Sequence, residues 1–208
     1  MKKVFNLIIV DESGSMSCIR KQAFSGMNET LQSVRGLQKT YPDTDQRVSL
    51  VSFDSNHTTW HFDNAKAEET HDLRWEDYNP GGCTPLYDAM GHAITKVEAQ
   101  VDKEDSVLVT VITDGEENSS HEWRLSMIRS LIERLKEKGW TFALIGTDNL
   151  DVESMAHNMS IDEHLEFCQS EEGTKEMFRR ADRARELFAC HSCSCNSAMP
   201  KGHLFDED

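Results

Sequence analysis

Two carboxylates and three hydroxyls in this sequence have the donor chemistry to hold a hard cation, if the fold brings them together. Asp11 follows the apolar run Val4–Val10, and Ser13 and Ser15 flank a single glycine in VDESGSM, residues 10–16. Asp114 closes a second apolar run, Val107–Thr113, and Thr84 stands between Gly81-Gly82-Cys83 and Pro85. All five side chains offer oxygen, which suits Mg²⁺ or Mn²⁺ and does not suit zinc or copper. Two carboxylates neutralise a divalent ion formally, and three hydroxyls add no charge. An octahedral ion then keeps at least one position for water or for a visiting oxygen. A carboxylate from another molecule is the visitor best matched to such an under-ligated cation. Each residue also has a plainer reading: Thr84 as a helix N-cap, Ser13 and Ser15 as turn or cap residues, Asp114-Gly115 as a strand-end turn.

The elements that would bring these residues together are legible as an alternation of short apolar runs and longer helical patterns. Strands are predicted over Val4–Val10, Arg47–Phe53, Val107–Thr113, Thr141–Gly146 and His164–Cys168. Several are apolar almost throughout, as expected of parallel strands covered on both faces. Thr58–Phe62 follows Phe53 too closely for a crossover helix and is predicted as an antiparallel edge strand. Helices are predicted over Ile19–Leu37, Pro85–Val101, Trp123–Lys138, Asp151–Met159 and Thr174–Phe188, the second with Thr84 as N-cap. The fold class is therefore α/β: a doubly wound, mostly parallel six-stranded sheet of order 3-2-1-4-5-6 with helices on both faces. Ligands bind such sheets beyond the carboxyl ends of the strands where the order reverses, between strands one and four. Asp11 and Asp114 end those two strands.

The set Asp11-Glu12-Ser13-Gly14-Ser15, Thr84 and Asp114-Gly115 resembles the metal-ion-dependent adhesion site of von Willebrand factor type A domains, whose pattern is Asp-x-Ser-x-Ser with a distant Thr and a distant Asp. The words GGCTPLYDAM and VLVTVITDGEEN resemble bacterial and intracellular members, and the likeness runs over roughly residues 3 to 190. It implies hydroxyl ligands from Ser13, Ser15 and Thr84, with Asp11 and Asp114 binding the ion directly or through water. It also implies a non-catalytic module that captures an Asp or Glu of a partner protein through Mg²⁺ or Mn²⁺. Cys83 departs from the small residue usual before the threonine, and a soft thiol has no reason to join an oxygen site.

Two other functions compete. A Mg²⁺-dependent phosphatase of the haloacid-dehalogenase type also places an aspartate after its first strand, but its second acid, the proton donor, is Ser13 here. A scaffold with a purely structural metal is the other. Neither Gly-x-Ser-x-Gly nor a phosphate-cradling Gly-rich loop with Lys occurs.

The 208 residues carry a formal net charge of −15, which argues against a nucleic-acid partner. No stretch approaches the ~20 apolar residues that span a bilayer. Cys18, Cys83 and Cys168 read as reduced thiols, from which a cytoplasmic location is expected. The domain is expected over residues 1–189, followed by a Cys-containing acidic tail over 190–208 without apolar period. Within it Cys190, His191, Cys193 and Cys195 offer zinc-type ligands at a spacing tighter than structural sites use. Glu116-Glu117, beside the proposed site, reads either as a solvated rim or as a filter against acidic partners.

Overall fold

The odd and even residues of the first apolar run both end up buried, on opposite faces of one sheet. The computed structural model describes residues 1–194 and 204–205. Its strands are β1 (Lys2–Asp11), β2 (Thr44–Phe53), β3 (Thr58–Lys66), β4 (Ser106–Thr113), β5 (Thr141–Thr147) and β6 (Glu163–Phe167). They form one sheet of order β3-β2-β1-β4-β5-β6, with only the β2–β3 pairing antiparallel. This is the doubly wound arrangement read from the sequence.

Because side chains alternate along a strand, Phe5, Leu7 and Ile9 of β1 enter one core while Ile8 and Val10 enter another. The first core is closed by α2 (Leu86–Glu98), α3 (Leu125–Lys136) and α4 (Val152–Asn158). The second is closed by α1 (Arg20–Thr40) and α5 (Glu171–Ser194). Met27, Leu31 and Val34 of α1 recur at helical spacing and are all fully buried. Each such side chain contributes roughly 1.5–3 kcal/mol by leaving water.

Some boundaries differ from expectation for physical reasons. β3 runs on to Lys66 through irregular register against Val48 and Leu50, with Asn64 at φ 51°. A 3-10 turn over Gly14–Ile19 precedes α1. The tail boundary at 189/190 falls inside α5, which continues to Ser194. Cys195, and with it the complete zinc-type motif, lies outside the described residues. Among the described residues no helix is long and apolar enough to cross a membrane.

Register sets the site. Val10 pairs with Ile112 and Asp11 with Phe53, so β1, β2 and β4 end nearly level. The loops that leave them open onto the same edge.

Candidate functional site

Asp11 is wholly buried at the end of β1, and each of its oxygens is engaged. Oδ1 accepts from the Ser13 amide at 2.7 Å and Oδ2 from the Thr113 hydroxyl at 2.6 Å. Its backbone carbonyl accepts from the buried Tyr78 hydroxyl at 2.7 Å. Ser15 Oγ donates to Asp114 Oδ1 at 2.6 Å and lies 3.1 Å from Ser13 Oγ. A serine has one hydroxyl proton. Since Ser15 gives its own to Asp114, Ser13 is the donor between the two serines. Asp114 Oδ2 accepts from Gln169 Nε2 at 2.7 Å, tying the site to the loop before α5.

Thr84 arrives on a different loop, and backbone bonds hold that loop against the first. Gly14 donates to the Gly82 carbonyl at 3.1 Å, and Gly81 to the Glu12 carbonyl at 2.8 Å. Gly82 has φ +68°, and a Cβ there would stand 2.6 Å from Ser55 Oγ, so both conformation and space call for glycine. Thr84 exchanges two bonds with Asn118: its amide donates to Asn118 Oδ1 at 2.8 Å, and its carbonyl accepts from the Asn118 amide at 3.1 Å.

Gly115 borders both loops. A Cβ built on it would lie 3.0 Å from Thr84 Oγ1 and 3.8 Å from both Asp11 Oδ2 and Ser15 Oγ. Three oxygens from two separate segments, residues 11–15 and the Thr84 loop, thus lie within 3.8 Å of one point. Asp11, Ser13, Ser15, Thr84 and Asp114 are brought to one edge of the sheet, four of them buried and Ser15 exposed.

The plainer reading of Thr84 as helix cap does not hold. α2 starts at Leu86 with Pro85 as N-cap, and its first-turn amides go elsewhere. Tyr87 donates to Glu117 Oε2 at 2.9 Å and Asp88 to Ser120 Oγ at 3.0 Å. Glu117 also accepts from the Ser119 and Ser120 amides at 2.8 and 2.7 Å and from the Ser120 hydroxyl at 2.6 Å. It is therefore a loop-organising cap, neither the solvated rim nor the partner filter considered for Glu116-Glu117.

The electrostatics are unusual for a structural corner. Burial pushes the Asp11 carboxyl up to about 6; bonds from Thr113 and Ser13 oppose the shift and the nearby Asp114 adds to it. Asp114 is raised too, chiefly by burial, against bonds from Ser15 and Gln169. Among the described residues neither acid has a Lys, Arg or His ion-pair partner. Two buried like charges without a counter-charge are relieved by a proton or by a cation. The donor atoms here are all hard oxygens, so the residues fit a small divalent ion.

Thr113, Tyr78, Gln169 and Asn118 were not picked out from the sequence. Thr113 had a signal, since register places the residue before Asp114 level with Asp11. Gln169 had none.

A family model for the von Willebrand factor type A domain matches residues 7–182. The chain belongs to the von Willebrand factor type A family. None of the curated proteins compared with it matches. Among solved structures, this von Willebrand factor type A domain is similar to the pilus adhesin SpaC from Lactobacillus rhamnosus GG, at 13% identity and a TM-score of 0.68, covering 90% of this chain and 31% of that one. The D319A mutant of the PilB minor pilin from Streptococcus sanguinis matches at 12% identity and 0.65, covering 92% and 62%. Proximal thread matrix protein 1 from the mussel byssus matches at 14% and 0.58, covering 92% and 46%. The chain thus spans between about a third and three fifths of the length of these structures. At such identities the likeness is one of fold.

The expected cytoplasmic location is corrected by these comparisons: the three similar structures named here are two pilus proteins and a byssus thread protein. Free thiols at Cys18, Cys83 and Cys168 do not outweigh that. Among the described residues no three His, Cys, Asp or Glu side chains are grouped to hold a metal. Any ion in this domain would depend on hydroxyls beside the two carboxylates.

Proposed function

We propose that this von Willebrand factor type A domain is a non-catalytic protein-binding module that holds Mg²⁺, or Mn²⁺, and uses it to capture an acidic residue of a partner protein. Asp11, Ser13, Ser15, Thr84 and Asp114 would hold the ion, directly or through water. The observation that carries this reading is the pair of buried, counter-charge-free carboxylates bordered by three hydroxyls from two loops. Bound there, a divalent ion would supply an electrophilic centre with positive charge to spare for a visiting carboxylate.

The chain's own residues do the rest. Thr113 and the Ser13 amide orient Asp11, Gln169 orients Asp114, and Asn118 fixes the backbone of Thr84. The description of one structural neighbour as a pilus adhesin agrees with a binding role. The phosphatase alternative needs a general acid where Ser13 stands.

The test is capture of an Asp-containing peptide library by the immobilised domain. Retention that needs Mg²⁺, vanishes in excess EDTA and vanishes in Asp11→Ala supports the reading. Retention that is indifferent to EDTA refutes it.

A further inference from the structure

The apolar cleft between α5 and the sheet is filled by two residues from much further along the chain. Leu204 is 2% exposed and packs with Val4, Leu108, Ala143, Ala184 and Phe188. Phe205 is half-buried and packs against both this cluster and the larger core under α1 and α5. The backbone of the pair is gripped at both ends. The Leu204 amide donates to Oε2 of the buried Glu163 at 3.0 Å, and Arg180 Nη2 donates to the Phe205 carbonyl at 2.9 Å.

Charged groups that hold a dipeptide's amide and carbonyl, beside apolar room for its side chains, are the elements of peptide recognition. We propose that this cleft is a docking site for a Leu-Phe segment, occupied by the chain's own Leu204 and Phe205 folded back in cis. The reach allows it. Ser194 lies ten residues beyond Ala184, about 15 Å along a helix. The nine residues between Ser194 and Leu204 span up to roughly 30 Å when extended. No second copy is needed to deliver the segment. Once vacated, the cleft would expose its apolar floor beside Glu163 and Arg180, and would accept the same sequence from solution. The proposal is independent of any metal.

The test uses the full chain with Leu204→Asp, since a carboxylate cannot stay in an apolar pocket. A fluorescein-labelled peptide of residues 201–208 is titrated against it and followed by anisotropy. Saturable binding to L204D, with none to the unaltered chain over the same range, supports the proposal. Adding Glu163→Gln should weaken that binding about tenfold, the cost of losing a charge-assisted bond. Absence of peptide binding by L204D with a native circular dichroism spectrum overturns it. Should L204D fail to fold, Leu204→Ala takes its place, read by the same anisotropy. Concentration-dependent dimers of the unaltered chain that disappear in L204D would assign the segment to a second copy and overturn the cis assignment.

Discussion

Ser15 donates its only hydroxyl proton to Asp114 across 2.6 Å, joining residues 99 positions apart. The bond spans the crevice between the loops that leave β1 and β4, and it orders a carboxylate of like charge to Asp11. It also commits Ser15 as donor, so one lone pair of its oxygen accepts from Ser13 and the other remains to face a cation. Ser15→Ala should therefore weaken Mg²⁺ binding by about ten- to a hundredfold, as loss of a bond to a charged group implies. Stability without metal should fall by about 1–3 kcal/mol, because the buried Asp114 carboxylate loses a donor. Calorimetric titration beside thermal melts separates the two effects.

Asp11 makes metal-free stability depend on pH in an unusual direction. Its folded carboxyl titrates near 6 against 3.8 ordinarily, so the folded chain holds its proton longer than the unfolded chain does. The stabilisation is complete below about pH 4 and is lost as pH rises through about 6, amounting to roughly 3 kcal/mol. Glu98 behaves oppositely: bonds from Arg134 and Lys138 hold it near 2, and its contribution is lost as pH falls. The difference between the unaltered chain and Asp11→Asn isolates the first effect. In EDTA, Asp11→Asn should gain relative stability between pH 4 and 7, and Mg²⁺ should narrow that gap at pH 7. Melting temperatures across that range provide the check.

Glu117 accepts from four donors spread over α2 and its own loop. Glu117→Ala leaves several amides without partners and should cost about 1–3 kcal/mol in urea unfolding. Because Asn118 follows directly and holds Thr84, Mg²⁺ affinity should fall as well. Glu116→Ala should leave both quantities nearly unchanged.

Gly82 combines a left-handed φ with a neighbour 2.6 Å from where a Cβ would sit. Gly82→Ala should destabilise by more than about 1 kcal/mol. It should also displace the loop bearing Thr84, lowering metal affinity beyond what the stability loss explains. Gly36, beside which a Cβ would meet nothing, is the control, and Gly36→Ala should be neutral or slightly stabilising.

The sheet order was legible because it rests on short-range signals, apolar runs closed by acids, and that order by itself brings Asp11 and Asp114 to one edge. What the sequence could not disclose were partnerships across loops. Thr84 looked like a cap because Thr-Pro is a helix-start signal, yet Glu117, some thirty residues on, does the capping. Gln169 reaches Asp114 from the loop after β6, two strands away, and a lone glutamine after a strand carries no local sign of such a bond. The reach of α5 to Ser194 was hidden by serines and cysteines with weak helix preference, overridden by burial of Ser192 and the bond from Lys2 to its carbonyl.

Metal capture at this edge requires oxygen atoms from separate loops to act as one ligand set. Electron paramagnetic resonance of Mn²⁺ tests this most directly, because only the free ion gives the sharp six-line signal and its loss counts ions bound. One ion per unaltered chain, competed away by Mg²⁺ and abolished in Thr84→Ala and Asp11→Ala, is the predicted result. A free-ion signal undiminished by the unaltered, folded chain would contradict the account.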